Sequence, residues 1–233
     1  MARRGRICVA VAAPDGDGVV AAVQPVLPLV DVVEVRLDAM VRPDVATCCR
    51  TIDTPLLFTN RPTWEGGGSD GDDAGRIRPL IEAVELGASY VDLELRADAR
   101  ARRQLLDAMQ GGPTRLILSS HDFSATPPSS RLREILEEMA DSGAHIGKII
   151  TMARETGDVL RVLSLQERAA ELDFPLIAFC MGEAGRISRL ASLFLGGFMT
   201  YVAVDEEQAT APGQLSAARL HELLALWEKD HAH

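Results

Sequence analysis

Short, almost wholly apolar runs recur along the chain, and between them the apolar residues fall at helical spacing rather than in alternation. The runs predict eight strands: Arg6 to Ala12, Asp31 to Leu37, Pro55 to Asn60, Ser89 to Leu95, Thr114 to Ser120, His145 to Thr151, Pro175 to Met181 and Phe198 to Val204. Asp72 to Leu86, with Ile77, Leu80, Ile81 and Val84 on one stripe, Ser129 to Ala140 and Thr156 to Leu172 predict intervening helices bounded by Gly or Pro. Eight β/α units in 233 residues predict a (β/α)8 barrel, one domain spanning residues 1–233. A doubly wound parallel sheet is the alternative architecture.

A barrel of this kind carries its chemistry at the C-terminal ends of its strands. The polar residues that interrupt the apolar runs collect there. The second run ends Glu34-Val35-Arg36-Leu37-Asp38, and period-two geometry points Glu34, Arg36 and Asp38 to one side. The third ends at Thr59-Asn60-Arg61 and leads into the glycine-rich stretch Glu65 to Gly71, expected to be a mobile rim segment. The fourth holds Asp92 and Glu94 on one face, and the fifth ends Ser119-Ser120-His121-Asp122-Phe123. The sixth carries Lys148, the seventh leads to Arg189, and the eighth runs on to Ala209 to Gln214, a second expected moving part.

Charge narrows the choice of partner. A net charge of -10 argues against nucleic acid and against an anionic membrane surface, and it requires local arginines wherever an acidic small molecule binds. No apolar run is long enough to span a bilayer. The start, Met1 to Arg4 followed by Ile7 to Ala13, resembles a secretory leader only as far as Pro14-Asp15-Gly16-Asp17, and reads better as the first strand. Cys8, Cys48, Cys49 and Cys180 lack zinc-ligand spacing, so no metal is expected and the reducing cytoplasm is the expected compartment.

Only two of the 24 basic residues are lysine, Lys148 within a strand and Lys229 in the polar tail. An ammonium among isoleucines is costly unless it is paired or put to use. One reading pairs Lys148 with Asp92 or Glu94 as a structural ion pair; the other makes it a Schiff-base nucleophile, flanked by arginines, because a lysine amine can become neutral and a guanidinium cannot. His121, at a strand end, suits proton transfer next to an iminium carbon. His145 is the rival histidine, but in a strand it faces away from Lys148 and nearer the barrel bottom. Ser120-His121-Asp122 is not a catalytic triad, since chain neighbours cannot relay protons in that order. Arg36, Arg61 and Arg189 suggest a socket for a carboxylate and hydroxyls, with Glu34 and Glu65 as ion-pair partners, hydroxyl binders or a brace for His121. The stretch Gly16-Asp17-Gly18-Val19-Val20-Ala21 fits a dinucleotide fingerprint, but its aspartates would repel a pyrophosphate.

Taken in order, these motifs resemble the type I 3-dehydroquinate dehydratases along nearly the whole chain. The matching pieces are Glu34 to Asp38, Phe58 to Arg61 with Glu65-Gly66-Gly67, Asp92 to Leu95, Ser119 to Phe123, Gly147-Lys148-Ile149, Met181-Gly182 with Ser188-Arg189-Leu190, and Ala211 to Gln214. The resemblance implies a cofactor-free barrel, commonly a homodimer, that dehydrates 3-dehydroquinate to 3-dehydroshikimate on the route to chorismate. It further implies that Lys148 forms an imine with the substrate ketone, that His121 is the general acid/base and that Glu65 partners the histidine. Arg189 is implied to grip the substrate carboxylate, and Glu34, Arg36, Arg61 and Gln214 to hold hydroxyls and carboxylate. Two substrate-binding positions depart from the family pattern: Ala10 and Thr210 stand where serines are common. The competing readings are a Schiff-base lyase or aldolase for another hydroxy-keto acid, and a non-catalytic metabolite binder.

Overall fold

The computed structural model describes residues 4–208, 210, 211 and 213–229, the last two of these as backbone only. The extreme start of the leader-like segment, Ala209 and Pro212 of the closing segment and the Lys229 side chain lie outside the described residues. Eight strands form one parallel sheet: β1 Arg6–Val11, β2 Val32–Arg36, β3 Leu56–Thr59, β4 Tyr90–Glu94, β5 Arg115–Asp122, β6 Ile146–Met152, β7 Leu176–Met181 and β8 Met199–Val202. Their order is β7-β6-β5-β4-β3-β2-β1-β8, which brings the first and last members of the sheet side by side. The ring all but closes there, with the Phe198 N–H donating to the Leu176 carbonyl at 2.8 Å. The expected (β/α)8 architecture is what the chain forms; the doubly wound alternative is not.

Boundaries shift by a residue or two, and one shift matters. β5 continues two residues beyond its expected end, pairing His121 with Ile150 and Asp122 with Thr151, so His121 sits on a strand and not in a loop. Two expected helices are broken. Asp72 to Leu86 divides into Asp73–Arg76 and Arg78–Glu85, because Pro79 supplies no N–H to continue the ladder. Thr156 to Leu172 divides at Ser164, whose hydroxyl bonds back to the Arg161 carbonyl at 2.8 Å. The fingerprint-like stretch opens helix Gly16–Val23, and its N-terminus is occupied by the Asp15 carboxylate, which accepts the Gly18 N–H at 2.8 Å.

Alternation along the strands sorts the core into two layers. Outward residues such as Val9, Val35, Phe58, Leu93 and Leu118 pack under the helices. Inward ones, including Cys8, Val32, Leu57, Tyr90, Ile117, Ile146 and Met199, fill the barrel. The lower barrel is thereby packed with apolar side chains, and the buried inward polar residues on the strands lie toward the upper end. Gly147 shows how tight the outer layer is at β6: a Cβ there would stand 2.8 Å from the Phe174 ring and 3.3 Å from the Met139 sulfur. Gly147→Val is therefore expected to destabilise the fold by about 1–3 kcal/mol through overpacking. Urea unfolding measures this, and an unchanged midpoint contradicts it.

Candidate active site

The upper ends of the strands surround a pocket. Its wall contains Lys148, His121, Glu65, Glu34, Arg36, Arg61, Arg189, Thr210 and Gln214 together. Ala10 is buried beside it, in an adjoining cavity that shares Arg36, Gly66 and Thr210 with the main pocket. Period two explains the convergence: Glu34 and Arg36 on β2, Thr59 and Arg61 at β3, Asp92 and Glu94 on β4, Ser119 and His121 on β5 and Lys148 on β6 are all inward positions.

Lys148 is 4% exposed. Its Nζ donates to Asp92 Oδ2 at 3.1 Å and Glu34 Oε1 at 3.4 Å, and lies 4.3 Å from the centroid of the Tyr201 ring. The surroundings differ from the arginine-flanked amine expected from sequence, because β2 and β4 both aim carboxylates at this point. Glu94, the other expected partner, is taken by Arg61 Nη1 at 2.5 Å and Arg76 Nη1 at 2.6 Å. Arg61 is the hub of the buried charges. Besides Glu94 it donates to Asp92 Oδ1 at 2.9 Å, Ser119 Oγ at 2.6 Å and Glu65 Oε2 at 3.2 Å. Burial alone would raise the Asp92 carboxyl, but Arg61 and Lys148 outweigh it and hold the group well below the usual carboxylate range.

His121 Nδ1 lies 3.2 Å from Glu65 Oε2, and its ring stacks on Phe123 with centroids 6.0 Å apart. Burial first, then the Arg61 and Lys148 charges, hold the imidazole well below its ordinary pKa, with Asp92 opposing. Burial pushes the Glu65 carboxyl up to about 7, Arg61 opposing and Glu94 and Asp92 reinforcing. A neutral histidine beside a carboxyl that titrates near neutrality forms a pair able to take one proton and return it. His145 has a different task, accepting the Leu116 N–H on Nδ1 at 3.1 Å at an exposed strand start. Asp122 caps the following turn, accepting from the Ser124 and Ala125 N–H groups at 2.9 and 3.0 Å.

On the other side of the pocket Arg189 is 3% exposed and lies 4.5 Å over the Phe179 ring, and burial lowers its pKa to about 10. Arg36 forks Asp38 at 2.7 and 2.9 Å, and that pairing outweighs burial and raises its pKa. The Gln214 side-chain oxygen accepts the Thr210 N–H and hydroxyl at 2.9 and 3.2 Å, leaving the amide nitrogen of Gln214 as a donor.

The glycine-rich segment departs from expectation. Asp38 accepts the Arg61 and Gly68 N–H groups at 3.1 and 3.0 Å, Gly67 N–H reaches the Pro62 carbonyl at 2.9 Å, and Ser69 N–H reaches the Arg61 carbonyl at 3.0 Å. These contacts tie the turn to Asp38, Arg61 and Pro62 and hold Glu65 against His121. Sequence reasoning treated Asp92 and Glu94 only as partners for the lysine and missed Ser119, Tyr201 and Arg76. A polar residue in an apolar run was the available signal for Ser119; Arg76, on a polar helix, gave none.

A family model described as type I 3-dehydroquinase matches residues 7–231. A 3-dehydroquinate dehydratase of Desulfotalea psychrophila is 46% identical over 195 residues, covering 84% of this chain and 86% of the relative. One from Methanosarcina barkeri is 36% identical over 207 residues, covering 85% and 86%. Among solved structures, type I 3-dehydroquinate dehydratase from Clostridium difficile, carrying covalently modified comenic acid, superimposes with a TM-score of 0.86 at 26% identity, covering 98% of this chain and 94% of that one. The enzyme from Geobacillus kaustophilus gives a TM-score of 0.85 at 27% identity, covering 98% and 93%.

The placement of Glu65 depends on Gly66, which adopts φ +78° at the end of the short turn Thr63–Glu65. A Cβ at Gly66 would also stand 2.5 Å from the Phe123 ring. Gly66→Ala is expected to cost about 1 kcal/mol in stability and to lower kcat about tenfold or more by shifting Glu65 away from His121. Steady-state kinetics with thermal unfolding tests this, and wild-type kcat contradicts it.

Proposed function

The chain belongs to the type I 3-dehydroquinases, and from that premise we propose how its side chains divide the reaction among themselves. The enzyme is a hydro-lyase that dehydrates 3-dehydroquinate to 3-dehydroshikimate through a Schiff base, the dehydration step of the shikimate pathway. In our reading Lys148 attacks the substrate ketone, and loss of water leaves an iminium whose carbon withdraws electrons from the adjacent C–H bond. Neutral His121 removes that proton, and the same imidazole, now protonated, delivers it to the departing hydroxyl, so that water leaves. A second water hydrolyses the imine, releasing product and regenerating the amine.

Glu34 and Asp92 hold the nitrogen and face the positive charge of the iminium. Glu65 keeps the imidazole oriented. Arg189 and Arg36 grip the substrate carboxylate and hydroxyls with Gln214 and Thr210 beside them. Arg61, with both terminal nitrogens engaged by protein groups, serves by fixing Glu65, Asp92 and Ser119 around the substrate. The observation that carries this reading is one buried amine and one partly buried imidazole on adjacent strands, opening into a pocket walled by Arg36, Arg61 and Arg189. The whole activity resides in the single barrel domain.

We further propose a cytoplasmic homodimer. The compartment is supported by the biosynthetic role and by four unpaired cysteines. Self-association is supported by exposed Phe194, Leu195, Leu226 and Trp227, with the Phe194 and Trp227 rings 5.7 Å apart, since lone soluble chains seldom leave such apolar groups together in water.

Borohydride added with 3-dehydroquinate is expected to trap one adduct on Lys148, read by intact mass and peptide mapping, and Lys148→Ala is expected to lose both adduct and enone absorbance. Turnover without any adduct contradicts the mechanism. At the adjoining cavity, Ala10→Ser is expected to restore one hydrogen bond to substrate, worth about 1 kcal/mol or a several-fold fall in KM. An unchanged or higher KM would show that the cavity lies off the substrate.

A further inference from the structure

Arg76 lies on the short helix Asp73–Arg76, outside the pocket wall, yet its side chain is wholly buried. Its Nη1 meets Glu94 Oε2 at 2.6 Å and the Asn60 carbonyl at 2.9 Å, and its Nη2 meets Asp73 Oδ1 at 2.7 Å. Asn60 returns the contact, donating its side-chain amide to the Arg76 carbonyl at 2.8 Å. Glu94 is thus gripped from both sides, by Arg76 on one oxygen and by Arg61 on the other. Arg61 in turn holds Glu65, which holds His121.

From this chain of contacts we infer that Arg76 is a positioning residue for proton transfer, supplying the distant positive charge that, through Glu94 and Arg61, sets when the Glu65–His121 pair takes up its proton. The inference rests on the roles proposed above for Glu65 and His121.

The balance of charge gives the reason. Glu34 from β2, Glu65 from the turn after β3, and Asp92 and Glu94 from β4 are four buried carboxylates; Arg61 from the end of β3, Lys148 from β6 and Arg76 are the cations that touch them. Arg36 is occupied by Asp38, Arg76 also meets Asp73, and Arg189 lies across the pocket over Phe179. The carboxylates outnumber the cations that touch them, and the proton shared by Glu65 and His121 narrows the difference. Without Arg76 the deficit grows, and every remaining acid and base in the cluster holds its proton more tightly. Burial already pushes the Glu94 carboxyl up, with Arg61 and Arg76 opposing, so Glu94 shares in that tightening.

The test is the pH dependence of kcat/KM for Arg76→Met, Arg76→Lys and the double variant Arg76→Met with Glu94→Gln, each with borohydride trapping at Lys148. The acid limb of Arg76→Met is expected to move to higher pH by about half a unit or more. In Arg76→Lys, which keeps the charge, and in the double variant, which removes one charge of each sign, the limb is expected to stand near its wild-type place. A loss of rate at all pH values with no movement of the limb would reduce Arg76 to a structural brace and overturn the inference. Should Arg76→Met not fold, Glu94→Gln alone reads the same chain from the opposite side: its limb is expected to move to lower pH, and an unmoved limb overturns the inference. Failure of wild-type enzyme to trap substrate would instead sink the Schiff-base reading, so the two failures are distinct.

Discussion

One guanidinium, that of Arg61, holds the mouth of this barrel together. It is 4% exposed and binds Glu65, Asp92, Glu94 and Ser119 at once. Charges buried this deeply are tolerable only in concert, because removing one partner of such a pair typically costs about 3–5 kcal/mol. The three strands β3 to β5 and the turn after β3 are therefore tied together by electrostatics at the top, as they are by apolar packing lower down. Arginine suits the post: it stays charged, and its planar fork reaches several carboxylate oxygens in fixed directions.

That lock has chemical consequences. Burial, together with the Arg61 and Lys148 charges close by, disfavours a further cation, so the His121 imidazole is held neutral and can act as a base. Burial, with Glu94 and Asp92 reinforcing it and Arg61 opposing, raises the Glu65 carboxyl to about 7 and lets it trade a proton with the ring beside it. The carboxylates at 3.1 and 3.4 Å from the Lys148 nitrogen face whatever positive charge that nitrogen carries, first as ammonium and later as iminium. A set of groups preorganised for charge in this way needs little rearrangement during reaction, which is where most electrostatic catalysis originates.

Much of this was legible in the sequence for a physical reason. Glu34, Asp92, Glu94 and Lys148 interrupt apolar strands, where polar side chains are costly, so their presence demands a use. Eight such strands with helices between them admitted few architectures. What escaped notice lay where cost is invisible from sequence alone. Arg76 sits on a polar helix and looks like a surface residue, although the fold buries it completely. Arg61 looked like a ligand-gripping arginine because nothing in its neighbours showed that β4 would present two carboxylates to it. The segment after it looked mobile because of its glycines, but Gly66 is there for its positive φ, and Asp38 ties Gly68 down. The amine looked arginine-flanked because composition counts charges without saying which strand each one faces.

The central claim is that burial, reinforced by the charges of Arg61 and Lys148, keeps the catalytic imidazole uncharged. Nitrogen-15 NMR of histidine-labelled enzyme, followed from about pH 8 down to about pH 5, observes the ring of His121 directly. The account expects one protonated and one bare ring nitrogen at neutral pH, with imidazolium forming only well below the ordinary histidine range. An imidazolium signal at neutral pH, or an ordinary titration centred near 6.5, would contradict it.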